Sequence, residues 1–251
     1  MPRLESAAAS VKAFRIASPD ETWEKGVRVR IATFNIKHAE LRGVEAVADV
    51  IRVSRAQIVG LQEVDIGCKR SGCVDQAVEL GRLLEMAACF APAMPYEDGF
   101  YGTALLTSLS PRLDCSVARL PGGDARGEEP RVLLASNIAG LRIYVAHLDL
   151  PTALRLRQAE AIVREIGDCR SAVLLADMNE PPEGAAVRNL VEAGFRDAWA
   201  ETRADEKVTA PSDRPQARID QVLLGRDLPR PVSAEAIATG ASDHALVVVE
   251  I

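Results

Sequence analysis

Aromatic side chains make up only 4% of the 251 residues. That is too few for the stacking platforms that grip single-stranded nucleic acid. The chain has no long Lys/Arg run and a net charge of −6, so its charge balance does not favour a protein that holds duplex DNA without sequence preference. No stretch approaches the roughly 18 consecutive apolar residues of a membrane span. Met1-Pro2-Arg3-Leu4-Glu5-Ser6 lacks the basic-then-apolar order of a secretory signal, so a cytoplasmic protein is expected. The five cysteines (Cys68, Cys73, Cys89, Cys115, Cys169) fit no zinc spacing, and reduced thiols are expected. No internal repeat and no low-complexity tract are present. What remains is an ordinary soluble composition, 48% hydrophobic and 26% charged, long enough for one large α/β or two-sheet domain or for two small ones.

Hydrophobic periodicity predicts a first core strand over residues 27–34 and a helix carrying Val44, Val47, Ala48 and Ile51. A buried strand over 57–61 and a second helix over 74–87 follow. Short strands over 101–107, 115–120, 131–137 and 141–146 are separated by Gly and Pro turns, with Gly140 marking a hairpin. A helix is expected from Thr152, as N-cap, to Ile166, then a strand over 172–176, a helix over 184–193, and strands over 219–224 and 246–251. Residues 201–217 read as a polar loop. Residues 1–27 read as an N-terminal extension, an edge strand over 11–16 or a loose arm, ahead of one domain over 28–251. Strands in two sets, each with helices, predict a four-layer α/β sandwich: two mixed sheets face to face with helices outside. A doubly wound parallel sheet fits the first 90 residues but not the hairpin-rich middle.

Three histidine positions exist in the chain, and one stands in Ser242-Asp243-His244-Ala245, where a polar turn enters the apolar run Leu246-Val247-Val248-Val249. An acid and an imidazole at the mouth of a core strand are costly without partners. Other strands end in the same way: Asn35 after Phe34, Gln62-Glu63 after Leu61, His147 and Asp149 after Ala146, Asp177 and Asn179 after Ala176, Asp220 after Ile219. Strand ends converge when strands share a sheet. A cleft holding this many carboxylates needs a cation, and oxygen donors favour Mg²⁺ or Mn²⁺ over zinc. Taken singly, each residue has an ordinary structural reading, as turn, helix cap or ion pair.

The ordered set Thr33-Phe34-Asn35-Ile36, Leu61-Gln62-Glu63-Val64, His147-Leu148-Asp149, Asp177-Met178-Asn179, Arg218-Ile219-Asp220 and Ser242-Asp243-His244 resembles the endonuclease/exonuclease/phosphatase superfamily, the group of deoxyribonuclease I, exonuclease III, the sphingomyelinases and the inositol polyphosphate 5-phosphatases. The stretches Arg70 to Gln76 and Phe100 to Leu106 are similar to those of a bacterial branch. The resemblance implies the same four-layer fold and metal-assisted hydrolysis of a phosphate ester. It implies Glu63 as the main Mg²⁺ ligand with Asn35 and Asp243, and Asp177 orienting or deprotonating water with Asn179 holding the phosphate or that water. His244 would lie on a non-bridging oxygen with Asp220 behind it, and His147 would act near the leaving group as acid or hydrogen-bond donor. Arg131 and Arg155 are candidates for phosphate contact, each with a structural ion pair as the alternative.

On the acidic charge and the missing DNA-gripping elements, a small or lipid-derived phosphate ester is the expected substrate. A repair-type or nonspecific nuclease is the alternative, and a catalytically silent binding module is a third. No stable membrane insertion is expected. Nothing in the sequence sets the oligomeric state.

Overall fold

The structure is a computed structural model, and it describes residues 28–202, 209–211 and 217–251. The extension expected over 1–27 lies outside the described residues, as do residues 203–208 and 212–216 of the polar loop. Twelve strands are described: β1 (Arg30–Asn35), β2 (Ile58–Ile66), β3 (Ala87–Tyr96), β4 (Gly99–Thr107), β5 (Cys115–Arg119), β6 (Val132–Ile138), β7 (Leu141–His147), β8 (Ala172–Asp177), β9 (Phe195–Asp197), β10 (Asp220–Gly225), β11 (Ser233–Ile237) and β12 (Leu246–Glu250). They form two six-stranded sheets, ordered β11-β12-β1-β2-β4-β3 and β5-β6-β7-β8-β10-β9. Only β1–β2 and β7–β8 are parallel pairs among these neighbours, so both sheets are mixed and the doubly wound alternative fails.

Period-two alternation sorts the side chains into layers. Ile31, Ile58, Leu105, Val145, Val173, Leu175, Val222 and Val247 pack between the sheets. Ala32, Phe34, Val59 and Leu61 face α1 (Gly43–Ser54) and α2 (Gln76–Leu84), whose Val44, Val47, Ile51 and Leu80 meet them. Tyr144, Leu174 and Leu223 face α3 (Thr152–Ile166) and α4 (Ala185–Glu192), through Ile162 and Leu190. The sandwich therefore has the four layers expected. Each fully buried Ile, Leu or Phe contributes about 1.5–3 kcal/mol, and this core is what holds costly polar groups at its end. The N-cap of α3 is Pro151 rather than Thr152, whose hydroxyl instead accepts a bond from Arg155.

Gly60 sets how closely the sheets approach. A Cβ there would fall 2.8 Å from Leu175 Cβ and 3.1 Å from Val145 Cγ2. Strands β3, β9 and β11 are additions to the sequence reading, and β2 runs five residues further. The thiol expectation is corrected too. Cys89 on β3 and Cys115 on β5 are joined by a disulfide, Cα to Cα 6.8 Å, because these edge strands of opposite sheets lie side by side. Cys68, Cys73 and Cys169 remain thiols. Among the described residues, no helix is long and apolar enough to cross a membrane.

Candidate active site

The alternation that fills the inter-sheet core also aims its last residues. On β1 the inward series Ile31, Thr33 ends in Asn35; on β7, Ile143, Val145 ends in His147; on β8, Val173, Leu175 ends in Asp177; on β10, Leu224, Val222 ends in Asp220. Strand pairing sets these ends level, with His147 opposite Asp177 and Asp177 opposite Asp220. A polar cluster thus closes one end of the apolar core.

At its centre, His244 Nδ1 lies 2.9 and 3.1 Å from the Asp220 oxygens and 3.8 Å from Asp177 Oδ2. Burial works against a charge on His244, but the Asp220 carboxylate, by field and hydrogen bond, and then Asp177 raise its pKa to about 9. Burial, then the Asp220 charge, push Asp177 up to about 7, while His244, Asn35 and Asn179 pull it back. Asp177 accepts from Asn179 N–H through Oδ1 (2.9 Å) and from Asn35 Nδ2 through Oδ2 (2.9 Å). The turn before β12 is tied in by Ser242, whose hydroxyl donates to the Asn35 carbonyl at 2.7 Å and accepts from His244 N–H.

Glu63 reaches the cluster through a β-bulge. Leu61 and Val64 both face the outer core, and the ladder with β4 shifts register between them. The extra residue is turned by a positive φ of 57° at Glu63. Glu63 Oε1 accepts from Asn35 Nδ2 at 3.0 Å. Burial pushes the Glu63 carboxyl up, but His38 first, then a charge on His147, the Asn35 amide and the His244 charge outweigh it and hold its pKa low, at about 2 with every one of these groups acting. His38 was not singled out in the sequence, although it follows Asn35 by three residues. Its Nδ1 is 3.8 Å from Glu63 Oε2, so all three histidines converge on the cluster.

Lys37, His38 and Ala39 form a short left-handed turn with φ of 47°, 41° and 53°, a conformation costing roughly 1–2 kcal/mol per non-glycine residue. One tertiary and one local bond hold it: Gln76 Nε2 donates to the His38 carbonyl at 2.6 Å, and Lys37 N–H donates to Asn35 Oδ1 at 3.0 Å. Gln76 also accepts from Asp65 N–H, and Arg70 clasps Asp65 with two bonds of 2.8 Å. The Arg70 to Gln76 stretch therefore braces the wall behind Glu63. The turn brings Lys37 Nζ to 2.9 Å from Asp243 Oδ2.

The structure assembles Asn35, Glu63, His147, Asp177, Asn179, Asp220 and His244 through direct contacts. Asp243 stands at the rim on Lys37. Arg131, 5% exposed, meets His147, donating to Nδ1 at 2.9 Å. Arg155 is elsewhere. It donates through Nε to Glu180 (2.9 Å), through Nη1 to the Leu150 carbonyl and through Nη2 to Thr152 (2.9 Å). Glu180 in turn accepts from the N–H groups of Ala186 and Val187 on α4. That is an ion pair at a helix start, the alternative reading of Arg155. A hollow of about 750 Å³ beside Met86, Thr107 and Pro111 lies at the other end of β2 from Glu63 and holds none of these residues.

One group of donors among the described residues is close enough to share a cation. Asp177, Asp220 and His244 offer atoms within 4.8 Å of one another, but His244 Nδ1 is already committed to Asp220. Glu63 and Asp243 keep side chains 24% and 40% exposed, and their hard carboxylate oxygens fit a divalent ion. Asn35 points its amide N–H groups at Glu63 and Asp177 and its oxygen at Lys37 N–H, so it orients both carboxylates.

The sequence profile of the Endonuclease/Exonuclease/phosphatase family matches residues 32–244. No curated protein sequence matches the chain. Solved structures similar in fold include an endonuclease/exonuclease/phosphatase from Beutenbergia cavernae (21% identity, TM-score 0.70, covering 89% of this chain and 71% of that one). A mannosyl-6-phosphatase from Bacteroides thetaiotaomicron gives 15% identity and TM-score 0.67, with 89% and 99% coverage. The human Nocturnin catalytic domain with bound sulfate gives 17% identity and TM-score 0.67, with 89% and 93% coverage. At these identities the likeness speaks for the fold.

Proposed function

The chain belongs to the Endonuclease/Exonuclease/phosphatase family, and from that premise we propose that it is a divalent-metal-dependent hydrolase of phosphate esters. The observation that carries this reading is the buried Asp177–Asp220–His244 cluster, in which one carboxyl is raised toward neutral pH beside a charged imidazole. A group poised near the working pH is what general-base chemistry needs.

Glu63, with Asp243, would hold Mg²⁺ or Mn²⁺. When bound, such an ion neutralises the phosphate and the charge developing on the leaving oxygen. Asp177 takes the proton of the attacking water, its free lone pairs left by bonds from Asn35 and Asn179. Asn179 holds that water or a phosphate oxygen. His244, anchored through Nδ1 by Asp220, turns Nε2–H to a non-bridging oxygen as an imidazolium. Asn35 keeps Glu63 and Asp177 apart and oriented. His147 serves the leaving-group side.

A small or lipid-derived phosphate ester fits the net charge of −6 and the family neighbour that is a mannosyl-6-phosphatase. The test is a panel of plasmid DNA, an abasic oligonucleotide, bis-p-nitrophenyl phosphate, sugar phosphates and sphingomyelin, each with Mg²⁺, Mn²⁺ or chelator. Turnover of small or lipid phosphoesters with shallow salt dependence is expected. Turnover of DNA that collapses between 50 and 200 mM salt, on the order of 10³-fold, would assign a nuclease instead.

A further inference from the structure

His147 has two possible roles in this reaction, proton donor or hydrogen-bond donor, and its neighbours separate them. Arg131 Nη1 lies 2.9 Å from His147 Nδ1 and 3.5 Å from the Tyr101 hydroxyl; Nη2 lies 3.0 Å from Glu129 and 4.0 Å from Asp149. A guanidinium carries only N–H groups and does not deprotonate in proteins. The nitrogen facing it must therefore present a lone pair. A ring with a bare Nδ1 carries its proton on Nε2 and is neutral. A proton on Nδ1 would set two donors against each other at 2.9 Å in a buried position, and an imidazolium would add a second positive charge.

The other side of the ring is equally constrained. Asn179 Nδ2 lies 3.0 Å from His147 Nε2 and donates to the Leu148 carbonyl at 2.8 Å. While it keeps that bond its amide offers Nε2–H no acceptor. Asp177 Oδ2, at 3.5 Å, is too distant for a full hydrogen bond. Nε2–H and Nδ2–H thus meet as two donors at 3.0 Å, the same opposition that excludes a proton on Nδ1; here the amide can turn away, which the guanidinium cannot, and an entering oxygen would accept from both.

We propose that Arg131 is a positioning residue that holds His147 as the neutral Nε2–H tautomer, so that His147 Nε2–H and Asn179 Nδ2–H form a two-donor seat for one oxygen of the phosphate ester. His147 then donates a hydrogen bond and keeps its proton. Arg131 acts through His147 and does not itself reach the phosphate. The seat rests on the function proposed above; the tautomer does not. Burial, with the Arg131 charge next, also holds the His147 pKa well below the ordinary histidine value.

The experiment is a long-range ¹H–¹⁵N spectrum of the ¹⁵N-histidine-labelled protein at pH 7, with the His147 ring assigned by the signal lost in His147→Gln. A bare Nδ1 and a protonated Nε2 on His147 are expected. An Nδ1–H tautomer or an imidazolium overturns the proposal. In Arg131→Gln, whose amide accepts as well as donates, His147 is expected to populate both tautomers; a folded variant with the single tautomer unchanged removes Arg131 from its role. If Arg131→Gln does not fold, Arg131→Lys, again a donor only, is expected to keep the Nε2–H form, and its loss there counts against the proposal. In turnover, His147→Ala is expected to lose about 100-fold or more, as for one donor of an oxygen-binding site, and His147→Gln, which still presents an N–H, about tenfold or less. Equal loss in both overturns the seat. Absence of hydrolysis by the unmodified protein, with the tautomer as expected, overturns the function and leaves the Arg131 assignment standing.

Discussion

Two carboxylates, Asp177 and Asp220, lie opposite each other in adjacent strands, and both are buried. Their repulsion is relieved by one imidazole, so His244 is bound to the fold most tightly when charged. Its folded pKa is raised, from an ordinary 6.5 to about 9. That contribution to stability is complete below about pH 6.5 and is lost as pH rises through about 9. In chelator, the melting temperature of the unmodified protein relative to His244→Gln should therefore be highest at pH 6 and shrink by pH 9.5; a difference that grows with pH would contradict the pairing. At this scale the sequence was informative where a residue ends a strand. Asn35, His147, Asp177 and Asp220 are aimed by backbone alternation, which a sequence carries. It was less informative for long side chains. Arg131 and Arg155 read alike as possible phosphate ligands, yet one meets His147 and the other closes on Glu180, because a guanidinium on a flexible stem takes its direction from tertiary neighbours. His38 was invisible because its position depends on a left-handed turn of non-glycine residues that Gln76 and Asn35 hold from outside it.

Among the elements, β2 does the most to make the site. Gly60 lets the opposite sheet close on it, and three residues later the bulge at Glu63 turns a carboxylate inward. Gly60→Ala should cost about 1–3 kcal/mol in urea unfolding, since the new methyl meets Leu175 and Val145; an unchanged midpoint would show that the sheets have slack. The bridge between the edges of the sheets gives a second expectation. Denatured without reductant, the protein should titrate three thiols of its five cysteines, and Cys115→Ser should lower stability by about 3 kcal/mol for a loop of this length. Five thiols would remove the bridge. Strand β3 explains why part of the fold was hidden. Its Ala87–Tyr96 run contains Pro92 and Pro95 and little alternation, which argues against a strand in a sheet interior. As an edge strand β3 tolerates both. By contrast α1, α3 and β8 carry periodic or unbroken apolar runs and were legible within a few residues.

At the scale of the whole molecule, two sheets share one apolar core, and its polar end is the cleft proposed above to take a phosphate ester. The four layers followed from two sets of strands with helices, and the profile match over residues 32–244 takes in all of one sheet and all of the other but β12 and the start of β1. The substrate was not legible, because the sequence shows neither an inserted basic loop nor an apolar hairpin to read. The measurement that bears most directly on the central claim is hydrolysis of bis-p-nitrophenyl phosphate by the unmodified protein and by Asp177→Asn, each with Mg²⁺ or Mn²⁺ and then with chelator, alongside matched unfolding curves. The account predicts metal-dependent turnover that chelator abolishes and that Asp177→Asn lowers by on the order of 10²–10⁴-fold, the range for losing a general base, with unfolding cooperative in both. Turnover that survives in a folded Asp177→Asn protein, or that ignores the metal, would contradict it.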